Sequence, residues 1–148
     1  MAEIKEKTFL ALKADVKNKN HRTFTSSLCK SWCEHPRLKE GTGFDIECAI
    51  DDEEYDYEHI KDELIVGRVI NAFMDGQNFM VTCQFKLEGD APYLSNINNE
   101  EGFLDKCAVI PKGKGAVKNQ VVQDDYELYG FNLIWAHESP FVEDTVSA

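Results

Sequence analysis

Two histidines share one short setting, His21-Arg22-Thr23 and His137-Glu138-Ser139. Brought together, they could grip a phosphate between two imidazoles, one acting as base and the other as acid, the chemistry of a two-histidine phosphoesterase. The tripeptide is short and common, and its second copy follows the last aromatic strand instead of lying in it, so two surface histidines are expected. Cys29, Cys33 and His35 gather on one helical stretch and are ligand types that suit zinc. Their spacing is looser than tetrahedral sites use, and no second Cys/His pair follows. Buried structural cysteines are therefore expected.

The run Asp51-Asp52-Glu53-Glu54-Tyr55-Asp56-Tyr57-Glu58 offers carboxylate oxygens for calcium, but it lacks the D-x-D-x-D-G order that wraps a chain around one ion. It reads as a solvated loop or a docking strip for a basic surface. Lys112-Gly113-Lys114-Gly115 could offer N–H groups and two ammonium charges to an anion, yet it is not a Walker A loop. The plainer expectation is a hairpin turn with charged edges. No cofactor and no bound metal are expected.

A nucleophilic serine needs a nearby histidine and a sharp turn with oxyanion donors. Ser26, Ser27, Ser31 and Ser95 fall in helix or cap contexts, and Ser139 precedes Pro140 in a tail. The one sharp turn after a buried strand is expected at Val109–Gly115, where Ile110 and Pro111 can attack nothing. Cys107 lies three residues before Ile110, inside the strand. With His59 it forms the most economical catalytic pair if the chain is an enzyme after all.

These groups must be positioned by the elements around them. The chain has 148 residues, 43% of them hydrophobic, with nine Phe, five Tyr and two Trp, enough for one sizeable core. One domain is expected over 1–148, with its core at about 7–137, an acidic loop at 51–58 and a polar tail at 138–148. A net charge of -11 disfavours binding to a phosphate backbone. No apolar stretch is long enough to span a bilayer. Five cysteines cannot all pair within one molecule, and reduced thiols in a cytoplasmic setting are the expectation. Met1-Ala2-Glu3-Ile4 does not read as a targeting sequence.

Alternation predicts a first strand over Thr8–Val16 with Leu10, Leu12, Ala14 and Val16 on one face. A helix is predicted from Ser26 to His35, capped by Thr25 and stopped by Pro36. Phe44–Ile50 reads as a half-buried strand, with Asp45 and Glu47 turned to solvent. Leu64–Met74 and Phe79–Leu87 flank the turn signal Asp75-Gly76 and make a hairpin, in which Gly67 marks a bulge or a close approach. Ser95 is a candidate cap for a short helix reaching Asp105. Cys107–Ile110 reads as a strand broken by Pro111, and Val117–Val122 leads into a last strand, Tyr126–Trp135. The fold class is strand-rich α+β: one barrel-like or strongly curved, mostly antiparallel sheet with two short helices.

The order of these motifs resembles that of T-even-type bacteriophage prohead proteases. Leu12–Arg22 is similar to that family's first strand and Asn-x-Asn-x-Arg turn. Val66–Gly89 resembles its central hairpin. Val109–Gly115 resembles its Val-Ser-Ser-Arg-Gly-x-Gly nucleophile turn, and Tyr126–Trp135 with Glu138-Ser139-Pro140 resembles its last strand and exit. The likeness runs over about residues 9–142 in short pieces. It implies the serine-protease fold shared with herpesvirus assemblins and a role in assembling phage heads. Ile110 and Pro111 stand in place of the family's two serines, and Lys112 in place of its arginine. The family's catalytic histidine falls by spacing near Glu54, with His59 the closest histidine.

The resulting expectation is a non-catalytic phage structural protein, an auxiliary or decoration protein of the virion assembled in the host cytoplasm. Its partner would be the major capsid protein or another virion protein, not nucleic acid, a membrane or a small molecule. Contacts would come from the sheet edges, the acidic run and the tail, with Tyr129, Trp135 and Phe141 as candidate anchors. The alternatives are a head-maturation protease with a shifted nucleophile, a two-histidine phosphoesterase and an acidic inhibitor of a host protein.

Overall fold

Alternating apolar residues and turn signals make strands the main regular structure of the chain. The computed structural model describes residues 5–51 and 60–139, so Glu54, His59, most of the acidic run and the tail from Pro140 lie outside the described residues. In chain order the elements are β1 (Lys5–Lys13), α1 (Ser26–Cys33), α2 (Pro36–Lys39), β2 (Phe44–Cys48), β3 (Ile65–Asp75), β4 (Asn78–Phe85) and α3 (Leu94–Asn99). They continue with β5 (Cys107–Lys114), β6 (Val117–Lys118), β7 (Val121–Val122) and β8 (Glu127–Trp135).

Six strands form one sheet in the order β1-β4-β3-β2-β8-β5, and only the β2–β8 pair is parallel. The sheet curls until its two edges, β1 and β5, lie beside each other without a ladder between them. The strongly curved, mostly antiparallel sheet expected from the sequence is what forms, with a third short helix and a separate β6–β7 hairpin added. The inside of the curl holds the main core, including Phe44, Phe79, Phe85 and Phe131. Helix α1 closes one side of it. Thr25 Oγ1 accepts a hydrogen bond from Leu28 N at 3.1 Å, and Leu28, Cys29 and Trp32 face inward. The Trp32 ring packs edge-on against Phe79 at 5.5 Å.

Several expectations are corrected. In β1 the ladder to β4 slips between Leu10 and Leu12, so Phe9, Ala11, Leu12 and Ala14 are buried while Val16 is 42% exposed. One extra residue at a bulge moves the inward face from odd to even positions. Pro36 ends α1 but also opens α2, whose N-cap is His35. The N-cap of α3 is Tyr93, at φ 63°, rather than Ser95. Ser139 is buried, with its N–H donating to Ala136 O at 3.1 Å, so the polar tail begins no earlier than Pro140.

The two corrections that matter most concern β2 and β5. β2 is central and buried on both faces, Glu47 included. β5 does not break at Pro111; it pairs with β8 as far as Lys114↔Glu127. A proline fits there because β5 is an edge strand, where a missing N–H can face away from the ladder. Gly67 meets its expectation: a Cβ there would fall 2.2 Å from Gln84 O, beside the bulge where β3 slips against β2.

Candidate functional site

Strands β2, β8 and β5 lie side by side, and their outer faces carry the chemistry. Glu47 on β2 is in register with Asn132 on β8, and Asn132 with Ile110 on β5. One step along β5 from Pro111, Lys112 is in register with Gly130. Two strand spacings, about 10 Å, separate β5 from β2. Lys112 reaches across β8, and its Nζ lies 2.5 Å from Glu47 Oε1. Side-chain exposure is 0% for Lys112 and 2% for Glu47. Two charges removed from water in this way persist only as a pair, and deleting either one costs about 3–5 kcal/mol.

The rest of this face is small and apolar, a cluster of Ala49, Ala108, Ile110 and Ile134. Gly130 is needed here for space. A Cβ would sit 2.8 Å from Asp45 O and 2.9 Å from Ile60 Cδ1. Asn132 is fully buried, and neither its Oδ1 nor its Nδ2 meets a hydrogen-bonding partner among the described residues. Chemically, the face offers an ammonium already neutralised by a carboxylate, an idle amide and an aliphatic side chain. Among the described residues it holds no hydroxyl or thiol that could attack a carbonyl.

Next to it the seam between β1 and β5 changes character along its length. At one end Lys7 Nζ meets Asp105 at 2.5 Å. At the other, the loop after β1 stands away from β5 and leaves a cleft of about 420 Å³. Arg22, Phe24, Ile110, Lys114, Val122 and Tyr126 line it, and among the described residues no Asp or Glu does. Arg22 Nη1 donates to the carbonyls of Asn20 and His21, each at 3.4 Å. The expected Lys112–Gly115 turn therefore does not present two ammonium groups to an anion. Lys112 is interior, and Gly113 and Lys114 continue the strand.

The remaining candidates are scattered. Cys107 is on the inner face of β5, opposite in sense to Ile110, and its Sγ donates to Phe103 O at 3.5 Å. Burial pushes this thiol up to about 12, which leaves it protonated at neutral pH. Its supposed partner His59 lies outside the described residues. His21, at φ 61°, is in the loop beside the cleft, whose Phe24 ring packs on Tyr126 just ahead of β8. His137 follows the far end of the same nine-residue strand. At about 3.3 Å per residue the two imidazoles stand at opposite ends of the sheet, too far apart to share a phosphate.

Burial pushes Cys29 up to about 12 and also raises Cys33. His35 uses Nδ1 to accept from Arg37 N at 3.1 Å, capping α2 instead of binding a metal. Among the described residues no group of three His, Cys, Asp or Glu could hold a metal ion. The serine hydroxyls are engaged locally: Ser26 bonds the Asp15 carboxylate, Ser31 Oγ donates to Leu28 O at 2.5 Å, and Ser95 Oγ accepts from Asn99 Nδ2 at 3.3 Å. Asp51, at the root of the acidic run, receives Tyr93 OH and the Trp135 Nε1–H, the latter at 3.3 Å. Trp135 also packs on Tyr93 and Phe103, so it is tied into the protein's own structure.

Sequence reasoning missed Glu47 and Asn132. A signal existed for the second, a lone amide inside the apolar run Phe131-Asn132-Leu133-Ile134. For Glu47 there was none, since an acid alternating with apolar residues is the ordinary mark of a solvent face.

No protein-family model matches the sequence, and no curated protein matches it significantly. Among solved structures, the chain is similar to the bacteriophage T4 capsid assembly protease, gp21, with a TM-score of 0.64 and 15% sequence identity over 88% of this chain and 81% of that one. The protein thus has a phage prohead-protease-like fold, as the order of its sequence motifs implied.

Proposed function

We propose that this chain is a non-catalytic protein of the phage head, an auxiliary or decoration protein that binds the capsid shell through a protease-like fold. The observation that carries this reading is the content of one stretch of β5. Where the family resemblance sets two serines, the strand holds Ile110 and Pro111, and the cation that follows is locked to Glu47. An acyl-transfer centre cannot work without an attacking atom, whatever donors surround it. The shared fold with a capsid assembly protease supports a partner in the capsid.

Contacts to the shell would use the acidic run, by charge complementarity, and the edges of β1 and β5, between which no ladder forms, by strand addition. Mass spectrometry of purified particles tests the proposal. The chain should be present at full length and in high copy, and its absence from mature heads would overturn the decoration role. Incubation with shell precursor tests the other half. No cleavage is expected, whereas cleavage abolished by Cys107→Ala would reveal a working protease.

A further inference from the structure

The outer face of the other half of the sheet, β1-β4-β3, is not covered by any described element, and its residues fall into four cross-strand rows. Reading β1, β4, β3 in each, they are Glu6-Gln84-Arg68, Thr8-Thr82-Asn71, Leu10-Met80-Phe73 and Lys13-Asn78-Asp75. Phe73 is 41% exposed, and Leu10 and Met80 are partly exposed beside it. In a chain that is 29% charged, the two central rows carry no charge at all. The two end rows carry opposite charges at their two corners.

We infer that this face pairs with the same face of a second copy of the chain about a two-fold axis parallel to β4. That axis lays β1 of one copy over β3 of the other. Glu6 then faces the second copy's Arg68, and Lys13 faces its Asp75, each contact occurring twice. Leu10 covers the second copy's Phe73, Met80 meets Met80, and Thr8 meets Asn71. The pattern is self-complementary in charge and in polarity, as an isologous interface requires. Sheets packed face to face in near alignment stand about 10 Å apart.

A two-fold across the strands also opposes charges at the corners, since it sets Glu6 on Lys13 and Arg68 on Asp75. It places the apolar row on Thr8-Thr82-Asn71, however, and is rejected for that reason. The face measures roughly 14 by 25 Å, the scale of a reversible dimer rather than an obligate one. This inference does not depend on the role at the capsid.

Sedimentation equilibrium of the full chain over a range of concentrations and salt provides the test. A monomer–dimer equilibrium weakened by salt is expected, and Phe73→Glu should abolish it. Glu6→Arg and Arg68→Glu should each raise the dimer Kd about tenfold or more. The double variant Glu6→Arg/Arg68→Glu should return it toward the original value. Only the axis parallel to β4 allows that rescue. The crosswise axis would set the cation introduced by Glu6→Arg on Lys13, and the anion introduced by Arg68→Glu on Asp75. A monomer up to millimolar concentration overturns the proposal, as does a dimer indifferent to Phe73→Glu or a double variant no tighter than the singles. A monomer whose Phe73 face becomes protected only when shell protein is added also overturns it, in favour of a foreign partner. Circular dichroism of each variant confirms that the fold is intact.

Discussion

The two faces of β2, β8 and β5 are both buried, but they are built on opposite principles. The inner face places Phe44, Ile46, Cys48, Val109, Phe131 and Leu133 in the main core. It is stabilised by area removed from water, which is non-directional and tolerates exchange of one apolar shape for another. The outer face depends on one ion pair that spans three strands. Its energy is directional, and each member depends on the other. The same strands therefore carry a forgiving surface and an unforgiving one.

The largest effect should come from Lys112→Met, which keeps volume but strands a buried carboxylate. A loss of about 3–5 kcal/mol is expected in urea unfolding. The same kind of swap on the inner face, Leu133→Met, should cost less than about 1.5 kcal/mol. Equal losses at the two sites would erase the contrast. Adding Glu47→Leu to Lys112→Met should restore most of the stability, because the uncompensated charge is then gone.

Gly130→Ala comes next, with an expected loss of about 1–3 kcal/mol as Asp45 O and Ile60 move aside. Asn132→Leu should do the reverse and stabilise by about 1 kcal/mol, since an amide with neither atom bonded among the described residues is replaced by an apolar group of like size. A loss at this position would show that the amide has found a partner.

The smallest effect concerns His35, which packs at 4.7 Å on the inner-face Phe44. Burial, and then the Arg37 charge, holds its pKa below the ordinary 6.5. The native state thus binds the proton less readily than the unfolded chain. Its contribution is fully present above about pH 6.5 and is lost as pH falls through that value toward the lower native pKa. Thermal unfolding at pH 7.5 and pH 5.5 should show a modest drop that His35→Asn, which keeps a capping acceptor, removes.

Periodicity made the inner face readable. Phe79, Val81, Cys83 and Phe85 alternate without fault, and the turn Gly76-Gln77 closes the hairpin where Asp75-Gly76 marked it. The outer face of the central strands was not readable, because burial on both sides is decided by where a strand sits in the sheet. Glu47 looks like a solvent residue until β8 and β5 are placed beside it. Pro111 looks like a break until β5 is known to be an edge. The bulge in β1 defeated a strict period-two reading for a local reason: one inserted residue changes the parity of everything after it. The reading of Ile110 and Pro111 as standing in place of a nucleophile came from side-chain chemistry and motif order in the sequence alone.

The strand order also sets a timetable for synthesis. β1 to β4 all lie within the first 85 residues and can assemble as soon as they leave the ribosome. β5 cannot join them until β8, the last strand made, slots in parallel to β2. Through that interval Glu47 borders an open ladder and Lys112 has no counter-ion from β2. The nascent chain should therefore be most vulnerable to misassembly just before its final strand emerges.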